Sequence, residues 1–430
     1  MSVFFSLIYL LLFIFSLVLI KILYKTFATP LTIFTITFLF FPFIVTLRPL
    51  GLYELSFKTH LLIILSFCTF FIFSLLFSKS KRKTNLFSKN FLPASTLNYW
   101  LLIIVNVLIF VYLIPKVISA WGTIQSNGWT FLRNNYEENY SSSTIDNIIY
   151  IWFIKTFLIA SIAVLSFDIF NNKNKLQIPA VIITLFNVLV DVVLFAARAM
   201  LVRLVFYLFF SFSFCKIKKY SKQKIITIGI MSIIIFVILA YVSRERMSES
   251  YSSFSMLDTA VMYYCAPYSL LDYYVKNPSF SHLGFDGLQF GTATFGFLYN
   301  IIRSGMYVVF GLEYNGSDYI ITQVTSETVR VGSSVSINSA CTSIYIFLRD
   351  FGIVGVLFGF AFCAFLANRS RHFFLSKPST RSAAIYIIFL YFVMRLSSTY
   401  DMLSPGFAFT ILFIFVLTIN RKKKMATLSI

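Results

Sequence analysis

Apolar positions along this chain do not alternate with polar ones. They come in long unbroken runs such as "SLIYLLLFIFSLVLI", "LLIIVNVLIFVYLI" and "SIIIFVILA". A bilayer core asks for about 20 consecutive apolar residues, and a helix is one of the few structures that satisfies its own backbone there. The runs predict transmembrane helices near 2–20, 27–47, 61–78, 97–115, 148–167, 176–196, 200–215, 225–242, 350–368, 383–400 and 404–419. The expected fold is therefore an all-α polytopic integral membrane protein with about 11 transmembrane helices. One large loop separates helices 8 and 9, so the chain divides into 1–242, 243–343 and 344–430.

Composition agrees with that pattern. Of the 430 residues 58% are hydrophobic and only 12% charged, against about 25% charged in soluble domains. The net charge of +20 would suggest nucleic acid if it were spread evenly, but it is not. Twenty-two of the 36 lysines and arginines fall in clusters between alternate helix pairs (Lys21–Lys25, Lys79–Lys89, Lys173–Lys175, Lys216–Lys224, Arg369–Arg381, Arg421–Lys424), with Asp168 the single acid among them. The positive-inside rule assigns every cluster to the cytoplasm. The charge is a topology signal, and nucleic acid is excluded as a partner. The N-terminus then lies on the far side and the C-terminus inside. "MSVFFSLIYLLLFIF" lacks a basic leader region and reads as a retained first helix. The five cysteines show no metal-ligand spacing; Cys265 and Cys341 fall on the far side, where buried thiols are favoured over a disulfide.

The cytoplasmic loops are short and carry no glycine-rich phosphate loop, so nucleotide chemistry on that side is not expected. The far side offers Lys116–Asn147 and the much longer 243–343, which is rich in aromatics and glycine and so reads as folded. Its apolar stretches 254–274 and 288–312 are expected as interfacial or re-entrant helices on the far leaflet. Seven further arginines gather on this side. Arg198 and Arg203 flank the turn between helices 6 and 7, and Arg244 and Arg246 follow helix 8. Arg303 and Arg330 lie in the long loop, and Arg349 sits beside Asp350 at the outer mouth of helix 9. Glycines at 352, 355 and 359 would let another backbone come close.

One arginine alone snorkels to headgroups. Several together, each a permanently charged fork, suit the oxygens of a lipid-linked diphosphate and the charge that grows on it as a leaving group. Asp191, seven residues before Arg198, shares its helical face and is expected to orient it. Asp350 is expected to do the same for Arg349. For a general base the far side supplies His282, Asp286, Asp272, Glu313, Asp318, Glu327 and His60. His282 and Asp286, four apart in "SFSHLGFDGLQFG", are the first and second choices.

Three stretches, "LFAARAMLVRL", "YVSRERM" and "NSACTSIYIFLRDFGIVGVLFGF", give the chain a resemblance to the Wzy-type O-antigen polymerases, also called oligosaccharide repeat-unit polymerases. The match is best at Arg349–Gly355. The Ala196-Ala197 pair departs from the family's usual Gly or Ser before the arginine. The resemblance implies a metal-independent, cofactor-free glycosyltransferase of the bacterial inner membrane. Such an enzyme moves one undecaprenyl-pyrophosphate-linked glycan onto the non-reducing end of another lipid-linked repeat unit at the periplasmic face. Donor and acceptor are both lipid-linked oligosaccharides, with membrane lipids, a chain-length regulator and a flippase as further partners. By position, Arg198, Arg244 and Arg349 would hold pyrophosphate, supported by Arg203, Arg246 and Arg303. The rivals are an O-antigen ligase delivering glycan to lipid A core and, from another class, a polysaccharide flippase or transporter.

Overall fold

The computed structural model describes residues 2–78, 97–134, 144–171, 174–195, 199–214, 255–312, 316–338 and 341–418. These residues are mostly helical, and their one sheet is a two-stranded hairpin. Six helices among them are long and apolar enough to cross a membrane: Ser2–Tyr24, Phe57–Phe77, Tyr99–Leu132, Ile145–Phe170, Gln177–Phe195 and Ser343–Ser376. Pro30–Thr46, Ala199–Phe214 and Gly406–Leu417 are shorter apolar helices. Each coincides with an expected span, and 383–400 is represented by Thr380–Arg395. The expected span 225–242 lies outside the described residues.

The chain clusters into two compact units. The first comprises Met1–Lys83, Leu257–His372 and Phe389–Ala408; the second comprises Thr84–Met256, Phe373–Ile388 and Phe409–Ile430.

Aromatic rings make the core of the first unit. Phe34 stacks on Phe38 and Phe70 at 4.1 and 3.8 Å between ring centres, and Phe360 meets both Phe34 and Phe38 edge-on. Pro42 shapes the second helix. The Phe41 N–H bonds the Ile36 carbonyl, one residue further back than in an α-helix, over the π-helical stretch Ile36–Phe40. The Thr37 carbonyl then has as its next candidate donor Pro42, which has no N–H. The Tyr268 hydroxyl fills that gap by donating to the Thr37 carbonyl. An orphaned acceptor at bilayer depth costs several kcal/mol, on the order of the figure for any unsatisfied backbone group in hydrocarbon, so Tyr268 ties the long loop to the helix.

The first helix of that loop packs into the interior of the first unit. In Met256–Lys276 the side chains of Cys265, Ala266, Tyr268, Leu270, Leu271 and Tyr274 are fully buried. Asp272, one of the candidate bases, is instead a cap. It accepts from the Ser56 N–H and the Thr59 hydroxyl, both at 2.7 Å, at the N-terminus of Phe57–Phe77, and it pairs with Lys276, where a helix dipole favours negative charge. His60 is likewise interior: it bonds the Tyr9 hydroxyl at 2.9 Å and stacks on Phe5. The hairpin Val329–Arg330 with Ser336–Ile337, which no apolar pattern announced, is joined by Tyr53 N–H to the Val331 carbonyl and Ser333 N–H to the Gly51 carbonyl.

Ser343–Ser376 is two helices, not one. Phe351 (φ −142°, ψ 27°) and Gly352 (φ 60°, ψ −139°) break it, and only glycine takes the second conformation at no cost. After the break the chain doubles back. A Cβ on Gly355 would stand 2.1 Å from the Phe347 carbonyl oxygen, and one on Gly359 would stand 2.5 Å from the Phe347 ring. In a straight helix Phe347 and Gly359 would be about 18 Å apart. The glycines at 355 and 359 do admit a second backbone, and it is that of the same segment.

Cys265 and Cys341 are free and buried. Burial pushes the Cys265 thiol up to about 12 and the Cys341 thiol up strongly as well, and the thiolate is the reactive form. Neither should react with a membrane-impermeant maleimide at pH 7–8 until the protein is denatured. Labelling in the intact protein, read by mass shift, would contradict this packing.

In the second unit Tyr99–Asn134 packs along Gln177–Phe195, and Lys155–Asn171 along Ala199–Phe214. Polar bonds join the helices in the manner of membrane bundles. The Asn187 amide donates to the carbonyl and side-chain oxygens of Asn106 at 2.8 and 3.0 Å, and the Ser211 hydroxyl donates to Ser166 at 3.1 Å. Asp168 is fully buried, accepting from the Tyr99 hydroxyl and from the Gln177 amide at 2.9 Å.

Candidate functional site

The broken helix places adjacent charges in different surroundings. At its end, the carbonyls of Arg349 and Asp350 accept from Gln289 N–H (2.6 Å) and Phe290 N–H (3.1 Å). The Asp350 side chain, fully buried, turns to the same loop. One oxygen takes the N–H groups of Gly291 and Ala293 at 3.1 and 3.0 Å; the other takes the N–H of Thr294 at 2.5 Å and its hydroxyl. This corrects one expectation: Asp350 makes no bond to the Arg349 guanidinium and orients the loop instead.

Arg349 is 3% exposed. Its Nε donates to the Gly287 carbonyl at 3.0 Å, and its Nη1 donates to the Tyr345 hydroxyl at 3.1 Å and the Ser281 carbonyl at 3.3 Å. Tyr345, one helical turn earlier, donates to the same Ser281 carbonyl at 3.0 Å. Three of the five guanidinium N–H groups are thereby used by neutral oxygens that fix the plane. Those on Nη2 have no partner among the described residues.

The side chain lines a cavity of about 510 Å³ together with His282, Asp286, Gln289, Gln323 and Glu327. His282 and Asp286 both line this cavity, and the stretch between them is not one helix. Pro278–Ser281 stops at His282, whose backbone is left-handed (φ 51°, ψ 38°), and Phe285–Gly287 makes a single 3-10 turn. The turn closes because Gly287 has no side chain: a Cβ there would lie 1.9 Å from the His282 carbonyl oxygen. Gly287→Ala should open this turn and displace the carbonyl that holds Arg349 Nε. Faster trypsin cleavage after Lys276 than in wild type, with normal insertion on a membrane-fraction blot, is the expected result; equal resistance would contradict it.

Glu327, which lines the cavity, and Tyr345, which holds Arg349, were not chosen from sequence as site residues. Glu327 stood among the far-side acids with nothing to single it out, because the hairpin that follows it is not legible as a strand pattern. Tyr345 had a signal, the four-residue spacing to Arg349.

The other expected arginines do not join this cavity among the described residues. Arg303 lies on Gly296–Phe310, its guanidinium 5.9 Å from the Tyr299 ring centre and its buried Nε without a hydrogen-bond partner among the described residues. Arg203 belongs to the second unit, on Ala199–Phe214, within electrostatic reach of Asp191. Asp191 is buried and accepts from the Tyr150 hydroxyl, with Lys155 also near. Arg198, Arg244, Arg246 and Glu313 lie outside the described residues.

The arrangement can grip an anion with the guanidinium edge that has no partner among the described residues, on a residue lining the same cavity as two carboxylates and an imidazole. Such a set matches a ligand with both an anionic group and many hydroxyls. This chain matches no protein-family model, no curated protein and no solved structure.

Proposed function

We propose that this protein is a membrane glycosyltransferase that acts on lipid-diphosphate-linked glycans, polymerising oligosaccharide repeat units on the non-cytoplasmic face of a bacterial inner membrane. The topology that goes with it has about eleven spans, with the N-terminus outside and the basic C-terminus in the cytoplasm. The observation that carries the reading is the Arg349 cavity. A buried guanidinium is fixed through Nε and Nη1, its Nη2 has no partner among the described residues, and Arg349 lines one cavity with His282, Asp286 and Glu327.

The chemistry follows from those groups. The acceptor sugar's hydroxyl oxygen attacks the donor's anomeric carbon, and the new C–O bond forms as the bond from that carbon to the diphosphate oxygen breaks. The diphosphate leaves with the electron pair. Arg349 stabilises the charge gathering on it, and because the fork is already held by Ser281, Gly287 and Tyr345 it need not reorganise at that moment. The hydroxyl proton passes to His282 or Asp286, which make no side-chain hydrogen bond among the described residues. Asp286, Glu327, Gln289 and Gln323 accept from or donate to sugar hydroxyls. One guanidinium neutralises only part of a diphosphate.

A deletion strain tests the function. Loss of a polymerase leaves surface lipopolysaccharide capped with a single repeat unit, whereas bare core would show a ligase. An unchanged polymer ladder would sink the proposal.

A further inference from the structure

The helix Gly296–Phe310 is built inside out. Its protein-facing positions are Gly296, Asn300 and Ser304, buried and small or polar, with the Asn300 amide donating to the Leu403 carbonyl at 2.7 Å. The outward positions are Leu298, Ile302, Val308, Val309 and Phe310, from 51% to 72% exposed. A helix against water shows the reverse. At 15 residues it is about 22 Å long, too short to cross about 30 Å of hydrocarbon.

A second apolar surface starts at the cavity itself. Asp286, Gly287, Leu288 and Gln289 form one wall of the cavity, and the residues bracketing them, Phe285 and Phe290, are 80% and 61% exposed. Phe290 meets Phe285 and Phe351 edge-on at 6.3 and 6.2 Å. From Phe351 the exposed apolar surface continues along Ile353, Val354, Leu357 and Phe358, the outer face of a helix apolar enough to cross a membrane. The ring chain is therefore continuous with a lipid-facing surface. Soluble proteins rarely leave a patch of this extent bare.

We infer that Phe285, Phe290 and Phe351, with the outward face of Gly296–Phe310, form a wedge embedded among the acyl chains of one leaflet. The cavity wall 286–289 is then held at headgroup level. A lipid-anchored ligand reaches Arg349 sideways, its chain never leaving the bilayer. The wedge itself does not depend on the glycosyltransferase reading, since it rests on which side chains face outward and on their continuity with the span.

The test is photo-cross-linking of the full chain in vesicles of phosphatidylethanolamine and phosphatidylglycerol. Benzoylphenylalanine replaces Phe285, Phe290 or Ile302 in turn, with Asn338, exposed near the hairpin, as the control. Intact-mass analysis should show phospholipid adducts at 285, 290 and 302 and none at 338. Cross-links to a second copy of the chain, no lipid adduct at 285 and 302, or equal lipid labelling at 338 would each overturn the wedge. Phe290→Trp gives a second reading that needs no bulky label. Its added fluorescence should be quenched by brominated lipid and not by iodide, and the opposite pattern would also overturn it.

Discussion

Asp350→Ala should leave the protein inserted in the membrane but collapse the loop around 289–294. The side chain it removes receives three backbone N–H groups and the Thr294 hydroxyl, all in the interior. Each buried donor left unpaired costs about 1–3 kcal/mol, so the loss is on the order of several kcal/mol, large beside the 5–15 kcal/mol that holds a typical domain. Asp350→Asn should be milder. Its amide keeps one oxygen for Gly291 and Ala293 but turns N–H groups toward the Thr294 N–H, or the reverse. Limited trypsinolysis checks this: wild type should resist cleavage after Lys276 and Arg303, Asp350→Ala should be cut rapidly, and Asp350→Asn should fall between. Equal resistance in all three would contradict the loop's dependence on this carboxylate.

On the proposed function, Arg349→Ala should abolish polymer without unfolding the protein. The neighbours of the guanidinium are two carbonyls and a tyrosine hydroxyl; water entering from the cavity can satisfy them, so the stability loss should be well below that of Asp350→Ala. Removing one fixed donor to a developing negative charge usually costs about 10²–10³ in kcat. Arg349→Lys tests the reason for arginine. Lysine keeps the charge but cannot hold Gly287, Ser281 and Tyr345 with one edge and a ligand with the other. It should recover only a small part of the activity, as short chains on a lipopolysaccharide gel. Full-length ladders from Arg349→Lys would show that charge alone matters, and full-length ladders from Arg349→Ala would remove the residue from the mechanism.

The membrane helices were legible because burying a backbone in hydrocarbon demands long apolar runs, and nothing else in this sequence produces them. Arg349 was legible too. Counting a span's length back from Arg369 put it at the helix mouth, and the helix does break there, at Gly352. The fold-back of 343–350 was not legible. It depends on the left-handed backbone at Gly352 and on amides from 289–294 meeting carbonyls sixty residues away, and neither leaves a periodic trace. The same limit explains Asp350. Adjacent opposite charges suggest a pair, but consecutive helical residues point about 100° apart, and a nest of backbone N–H groups is invisible in side-chain spacing. His282 and Asp286 were paired for a helical reason, yet they line one cavity on a stretch shaped by a glycine turn. For Arg303, position in the long loop did not tell which way the side chain faces.

The central claim is that the Nη2 edge of Arg349 receives a diphosphate. Native mass spectrometry of the purified full chain titrated with undecaprenyl diphosphate measures that directly. The account predicts a bound lipid in wild type and binding weakened about tenfold to a hundredfold by Arg349→Ala, the range expected for losing a hydrogen bond to a charged group. Undiminished binding in the Arg349→Ala protein would contradict it.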